Sequence, residues 1–110
     1  GNDTILGGPG VNVLRGDAGN DLIISEGQDS ITGGADADTF RLLRCGLVRT
    51  ITDLTAADTL DLADWAPLQP VTVTQVGSAV EVTAGVEKAI CLNATRATVV
   101  ARITGVTINA

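Results

Sequence analysis

Asp3, Asn12, Asp21, Asp29 and Asp38 follow one another at intervals of nine, nine, eight and nine residues, each closing a short glycine-rich run. Carboxylate and amide oxygens beside a freely turning backbone form the donor set of a hard divalent cation. Such an ion takes six to eight oxygens at about 2.3–2.6 Å. Gly8, Gly10, Gly16, Gly19, Gly27 and Gly34 lie in the same runs, where glycine permits the angles that aim carbonyls inward. Charge follows the same boundary. Residues 1–38 hold seven acidic residues against Arg15 alone, which equals the net charge of −6 of the whole chain. An acidity confined to one segment points to a store of cations. It argues against nucleic acid and anionic membrane as partners, since no basic patch meets phosphates. The chain contains no histidine, which removes zinc-protease motifs, His-dependent triads and imidazole acid–base chemistry. The Gly7-Gly8-Pro9-Gly10 run lacks the Gly-Lys-Ser/Thr ending of a phosphate loop. The expectation is a non-catalytic, ion-binding module.

These residues are held in register by a repeat. Five copies run from Gly1 to Arg41: GNDTIL, GGPGVNVLR, GDAGNDLII, a shortened SEGQDSIT, and GGADADTFR. Each joins a hexapeptide ending in Asp or Asn to a three-residue segment with an apolar centre, namely Ile5, Leu14, Ile23, Ile31 or Phe40. Self-similarity at this period is the signature of stacked coils. A lone Gly-x-Asp would be an ordinary turn whose Asp bonds the backbone; five phased copies favour the ion reading.

The pattern resembles the RTX calcium-binding repeats, with consensus G-G-x-G-x-D-x-U-x. The resemblance implies a parallel β-roll, an all-β solenoid in which two nonapeptides make one coil. Asp3, Asp21 and Asp38 are then expected along one edge, and Asn12 and Asp29 along the other. Equivalent carboxylates in successive coils stand roughly 4.8 Å apart, and two unscreened charges there repel by about 3.5 kcal/mol at an effective dielectric of 20. A Ca²⁺ ion between the turns converts repulsion into bridging. Three candidate sites follow: Asp3 with Asp21, Asp21 with Asp38, and Asn12 with Asp29, the last weaker because Asn12 is neutral. Asp36 stands where the fourth-position glycine belongs.

Residues 42–110 are expected to form an antiparallel β cap that shares one core with the roll of residues 1–41. Leu47, Ile51, Leu54, Leu60 and Leu62 suggest short strands. The Thr52-Asp53-Leu54 and Asp58-Thr59-Leu60-Asp61-Leu62 segments resemble those following RTX repeats. Asp58 and Asp61 are either solvated turn residues, the favoured reading, or a further ion site. Alternation over Val71–Val76 and Ala79–Thr83 around Gly77-Ser78 predicts a type II′ hairpin. Lys88–Leu92, Ala97–Ile103 and Val106–Ile108 read as strands from their Val, Ile and Thr content, and Trp65 as a core plug. Cys45 and Cys91 are either a disulfide closing a long loop or two separate thiols, the latter favoured. No run approaches the roughly 18 apolar residues of a membrane span.

The chain opens within a repeat, which suggests a piece of a longer protein. The family resemblance implies secretion to the extracellular space through a type I machinery. It also implies a calcium-triggered switch, unfolded at low cytosolic calcium and folded outside, that stabilises an upstream domain. The alternative is a glycan-binding accessory module of a polysaccharide-modifying enzyme or adhesin. The absence of aromatic residues among the positions flanking the repeat apolars weighs against it. A flat threonine array for adhesion or ice is not supported, since Thr4, Thr32 and Thr39 fall on different flanks.

Overall fold

The computed structural model describes residues 2–109 as two sheets wound alternately from one succession of short strands. The winding begins with β1 (Thr4–Leu6), β2 (Val13–Arg15), β3 (Leu22–Ser25), β4 (Ser30–Thr32), β5 (Thr39–Leu42), β6 (Val48–Ile51) and β7 (Thr59–Asp61). Odd-numbered members join one sheet and even-numbered members the other, all in parallel. The registers Ile5↔Ile23, Leu14↔Ile31 and Ile23↔Phe40 stack the repeat centres directly over one another. Because successive strand residues face opposite ways, one apolar centre per strand is enough to line the interior. Leu14, Ile23, Ile31 and Phe40 are buried, and Ile5 on the outermost strand is half-buried. The structure is thus a parallel β-roll, as the repeats predict.

The parallel winding runs on past the repeats through β6 and β7, where Ile51 and Leu60 continue the buried columns. Leu47 and Leu54 lie outside the strands; Leu54 is buried in the turn before β7. A 3-10 helix over Ala63–Leu68 then seats Trp65, fully buried, across the end of the roll. Next come β8 (Val71–Val76), β9 (Ala79–Ala84) and β10 (Glu87–Cys91), an antiparallel meander that joins the second sheet through β10. Val71, Val73, Val80, Val82 and Ala89 point inward, so one continuous core runs from Leu14 to Val99. The Val76↔Ala79 pairing leaves a two-residue Gly77-Ser78 loop, with Gly77 at φ +60°, the sign a type II′ turn needs at its first central residue.

The structure corrects two expectations here. Ala97–Ile103 is not a strand: Arg96–Arg102 forms helix α1, with the Thr95 side chain capping the Thr98 N–H. Its Val and Thr content suggested a strand, but composition is a weak prior, and packing Val99 into the core against β7 and β8 outweighs it. Nor are all later strands antiparallel. The closing pieces β11 (Ile103–Thr104) and β12 (Ile108–Asn109) pair in parallel with β7 and β8, and β10 pairs in parallel with β6.

Candidate metal-binding edge

Each coil turns at two edges, and the turn conformation follows the repeat position. Second positions Gly8, Asp17 and Gly34 and fourth positions Gly10, Gly19 and Asp36 all take positive φ. Asp36 therefore adopts the backbone of the glycine it replaces, and its Oδ2 accepts the Gly19 N–H at 3.0 Å. Other glycines serve a different need. A side-chain carbon at Gly27 would collide with the Gly10 carbonyl oxygen, so the coils there approach too closely for any other residue.

On the first edge the sixth-position aspartates form a ladder. The Asp3 N–H donates to Asp21 Oδ1 at 2.8 Å, and the Asp21 N–H to Asp38 Oδ1 at 2.9 Å. The ladder does not end with the repeats, because the Asp38 N–H donates to Asp58 Oδ1 at 2.9 Å. One residue earlier a second ladder runs the opposite way: the Asn20 N–H donates to Asn2 Oδ1 and the Ala37 N–H to Asn20 Oδ1. Asp21 and Asp38 are 3% and 1% exposed. Their remaining oxygens, Asp21 Oδ2 and Asp38 Oδ2, are buried with no partner. Burial, reinforced by the charges of Asp58, Asp21 and Asp53, pushes the Asp38 carboxyl up to about 6 against the lowering effect of its backbone hydrogen bond.

A buried carboxylate oxygen without a partner is costly, and its surroundings supply what a cation wants. A side-chain carbon at Gly16 would lie 2.5 Å from Asp21 Oδ2 and 2.6 Å from the carbonyl oxygen of Gly33 in the next coil. A free carboxylate oxygen and a carbonyl from the adjacent turn thus converge on the space that glycine leaves. This all-oxygen donor set fits calcium. Among the described residues no three acidic or thiol side chains converge on one point, so a cation shell here would draw most of its oxygens from backbone carbonyls.

The second edge is satisfied from within the protein. Asn12 Nδ2 donates to the Gly7 and Gly8 carbonyls, Asp29 Oδ1 accepts the Asn12 N–H, and the Ser25 hydroxyl donates to Asp29 Oδ2 at 2.7 Å. One coil further, the buried Arg49 guanidinium donates to the Ser25 and Leu43 carbonyls and to Glu87 Oε1 at 3.0 Å. Glu87 in turn accepts the Cys45 and Gly46 N–H groups. A fixed organic cation, stacked 5.7 Å from the Trp65 ring centre, here sits among carbonyls and a carboxylate. The repeat pattern assigns no role to Arg49, Glu87, Asp53 or the Asn2–Asn20 ladder. The recurring Asn-Asp pair was the signal for that ladder; nothing local signals a pairing of residues 38 positions apart.

Asp58 is 1% exposed and belongs to the aspartate ladder, not to solvent. Asp61 does not join it: Asp61 pairs with Arg41 at 3.0 Å. Cys45 and Cys91 are both free thiols.

The ordered turns, the parallel winding and the oxygen-lined edge define a solenoid of the calcium-binding type. Residues 1–28 and 25–42 match the RTX calcium-binding nonapeptide repeat in four copies, and this part of the chain is built of RTX repeats. Over 94% of its length the chain also superposes on the solution structure of the AlgE6R3 subunit of the mannuronan C5-epimerase of Azotobacter vinelandii. The TM-score is 0.71, the sequence identity 25%, and 74% of that subunit is covered. No curated protein sequence matches the chain.

Proposed function

We propose that the chain is a calcium-binding RTX module that completes its folding when Ca²⁺ enters the first edge, as part of a larger protein secreted through a type I machinery. The observation that carries this reading is the pair of buried, partnerless oxygens Asp21 Oδ2 and Asp38 Oδ2. Asp3, Asp21 and Asp38 hold the ions, with carbonyls freed by Gly16, Gly19 and Gly34. Asn12, Asp29, Gly8, Gly10 and Gly27 form the counterpart turn of the second edge, where protein donors already do much of the ion's work. When bound, calcium supplies the positive charge that the ladder lacks. The chain's residues fix the register, exclude water and bring the carboxylates together. In this reading the module is non-catalytic, with residues 42–110 closing the roll of residues 1–41.

Cytosolic calcium is too low to fill such sites, so the chain stays loose enough for export; outside, each site held at about 100 times its dissociation constant contributes about 2.7 kcal/mol. The test is calcium titration followed by far-UV circular dichroism, with magnesium as control. Cooperative gain of β-structure, weakened by Asp21→Ala far more than by Asp17→Ala, is expected. Full structure in chelator and no calcium response overturn the proposal. A second reading, an accessory module of a polysaccharide-modifying enzyme, is favoured by the likeness to a mannuronan C5-epimerase subunit. Titration calorimetry with oligomannuronate in saturating calcium tests it, and absence of heat refutes it.

A further inference from the structure

The columns of the two edges diverge one coil beyond the matched repeats. On the first edge the sixth-position column continues from Asp38 to Asp58, 20 residues on, and keeps its carboxylate. On the second edge the same step leads from Asp29 to Arg49. The pairs Ser30↔Thr50 and Ile31↔Ile51 set Arg49 next to Asp29 in the column, as Val13↔Ser30 sets Asp29 next to Asn12. The backbone bonds agree: the Thr50 N–H donates to the Asp29 carbonyl at 3.0 Å, as the Thr59 N–H donates to that of Asp38 at 2.8 Å. At the place of a carboxylate the column thus reverses its charge.

The guanidinium of Arg49 lies between two stacked turns. It donates to the Ser25 and Leu43 carbonyls, one from each of two successive coils, and to the Glu87 carboxylate. The Leu43 N–H donates to the same Ser25 carbonyl at 2.9 Å, so the turns are in direct contact. Carbonyls of neighbouring turns and a carboxylate are what a calcium shell draws on, and here each already accepts an N–H. Arg49 and Ser25 are fully buried, and Asp29 and Glu87 nearly so. Burial lowers the Arg49 pKa from its ordinary value, against the opposing pull of Cys45, Glu87, Asp29 and Asp64. Its charge therefore serves the aspartate of the column as well as Glu87. An arginine keeps its charge when buried, and a divalent ion brought beside it meets a like charge that water barely screens. We propose that Arg49 is the resident cation of the second edge: it takes the place of a divalent ion between the turns 25–29 and 43–47, keeps calcium out of that level, and clasps the roll to the β8–β10 meander at any calcium concentration. The inference rests on the calcium reading of the roll and makes its loading one-sided at this level.

The test is calcium chloride titration of the full chain followed by amide NMR shifts, on the wild type, Arg49→Ala and Arg49→Met. In the wild type, calcium is expected to shift the amides of residues 16–21 and to leave those of Gly27, Cys45 and Gly46 in place. Arg49→Ala opens the space beside Glu87. Calcium beyond the first edge's need then shifts the Cys45 and Gly46 amides and raises the urea midpoint more than it does in the wild type. Arg49→Met removes the charge but fills the space, and shows neither effect. Calcium shifts at Gly27, Cys45 and Gly46 in the wild type overturn the inference and leave the calcium reading of the first edge intact. So does an Arg49→Ala chain that calcium neither folds nor shifts at those amides, or one that responds no differently from Arg49→Met. A wild-type chain that binds no calcium anywhere overturns both.

Discussion

Replacing Asp38 by asparagine is expected to reverse the order of stability of mutant and wild type according to whether calcium is present. The Asp38 carboxyl is 1% exposed, keeps one oxygen without a protein partner and is raised from 3.8 to about 6. Each unit is worth about 1.4 kcal/mol, so holding it ionised at neutral pH costs the metal-free fold on the order of 3 kcal/mol. An asparagine keeps an oxygen for the Asp21 N–H and carries no charge, and Asn12 shows how its amide nitrogen can donate to turn carbonyls. The sign in pH follows. A carboxyl whose folded value is raised stabilises the fold fully below the unfolded pKa and loses that contribution as pH rises through about 6. In chelator, wild-type stability therefore falls from about pH 4 to about pH 7, and the D38N chain lacks that slope. In calcium the wild type gains its binding energy and overtakes the mutant. Urea unfolding, read by the fluorescence of buried Trp65, measures both chains with and without the ion. A mutant less stable than wild type in chelator at neutral pH, or equally responsive to calcium, refutes the reasoning.

Other perturbations separate the two edges. Arg49→Met leaves Glu87 buried without its cation and is expected to cost about 3–5 kcal/mol; because the guanidinium is fixed by protein groups, the loss in urea midpoint is similar with and without calcium. Gly27→Ala forces a carbon against the Gly10 carbonyl and is expected to cost about 1–3 kcal/mol, measured by thermal unfolding in saturating calcium. Burial pushes the Cys91 thiol up to about 12, so a disulfide-exchange reagent in mildly alkaline buffer is expected to label Cys45 and spare Cys91 until the chain unfolds. Fast labelling of Cys91 in the native chain contradicts the packing of β10.

The roll itself is legible in the sequence because its rule is local: a glycine-rich turn, an aspartate and an inward apolar residue recur within about nine positions, and stacking such units needs no distant partner. Ile23, Ile31 and Phe40 fall where that rule puts them. Asp21, Asp29 and Asp38 are buried at the turn ends for the same reason. The type II′ turn at Gly77-Ser78 and the burial of Trp65 follow from equally short signals. What the sequence hides is whatever depends on the neighbour across the sheet. Most of the 97–103 segment, Ala97 to Arg102, became part of helix α1 because packing Val99 into the core beside β7 and β8 outweighed its strand-like composition, and composition carries no record of that need.

The same division runs through the site. The sequence by itself determined the repeat period, the oxygen chemistry and the two columns of Asp and Asn, since each is fixed by residues close along the chain. Only the tertiary structure decided how those columns differ. On one edge it leaves Asp21 and Asp38 with free buried oxygens and carries the ladder on to Asp58. On the other it brings Arg49 to Glu87, 38 residues away, and supplies from within the protein the charge that, in the proposed reading, the first edge takes from solution. Which carboxylate is left in want of a cation depends on the partners that folding brings to it.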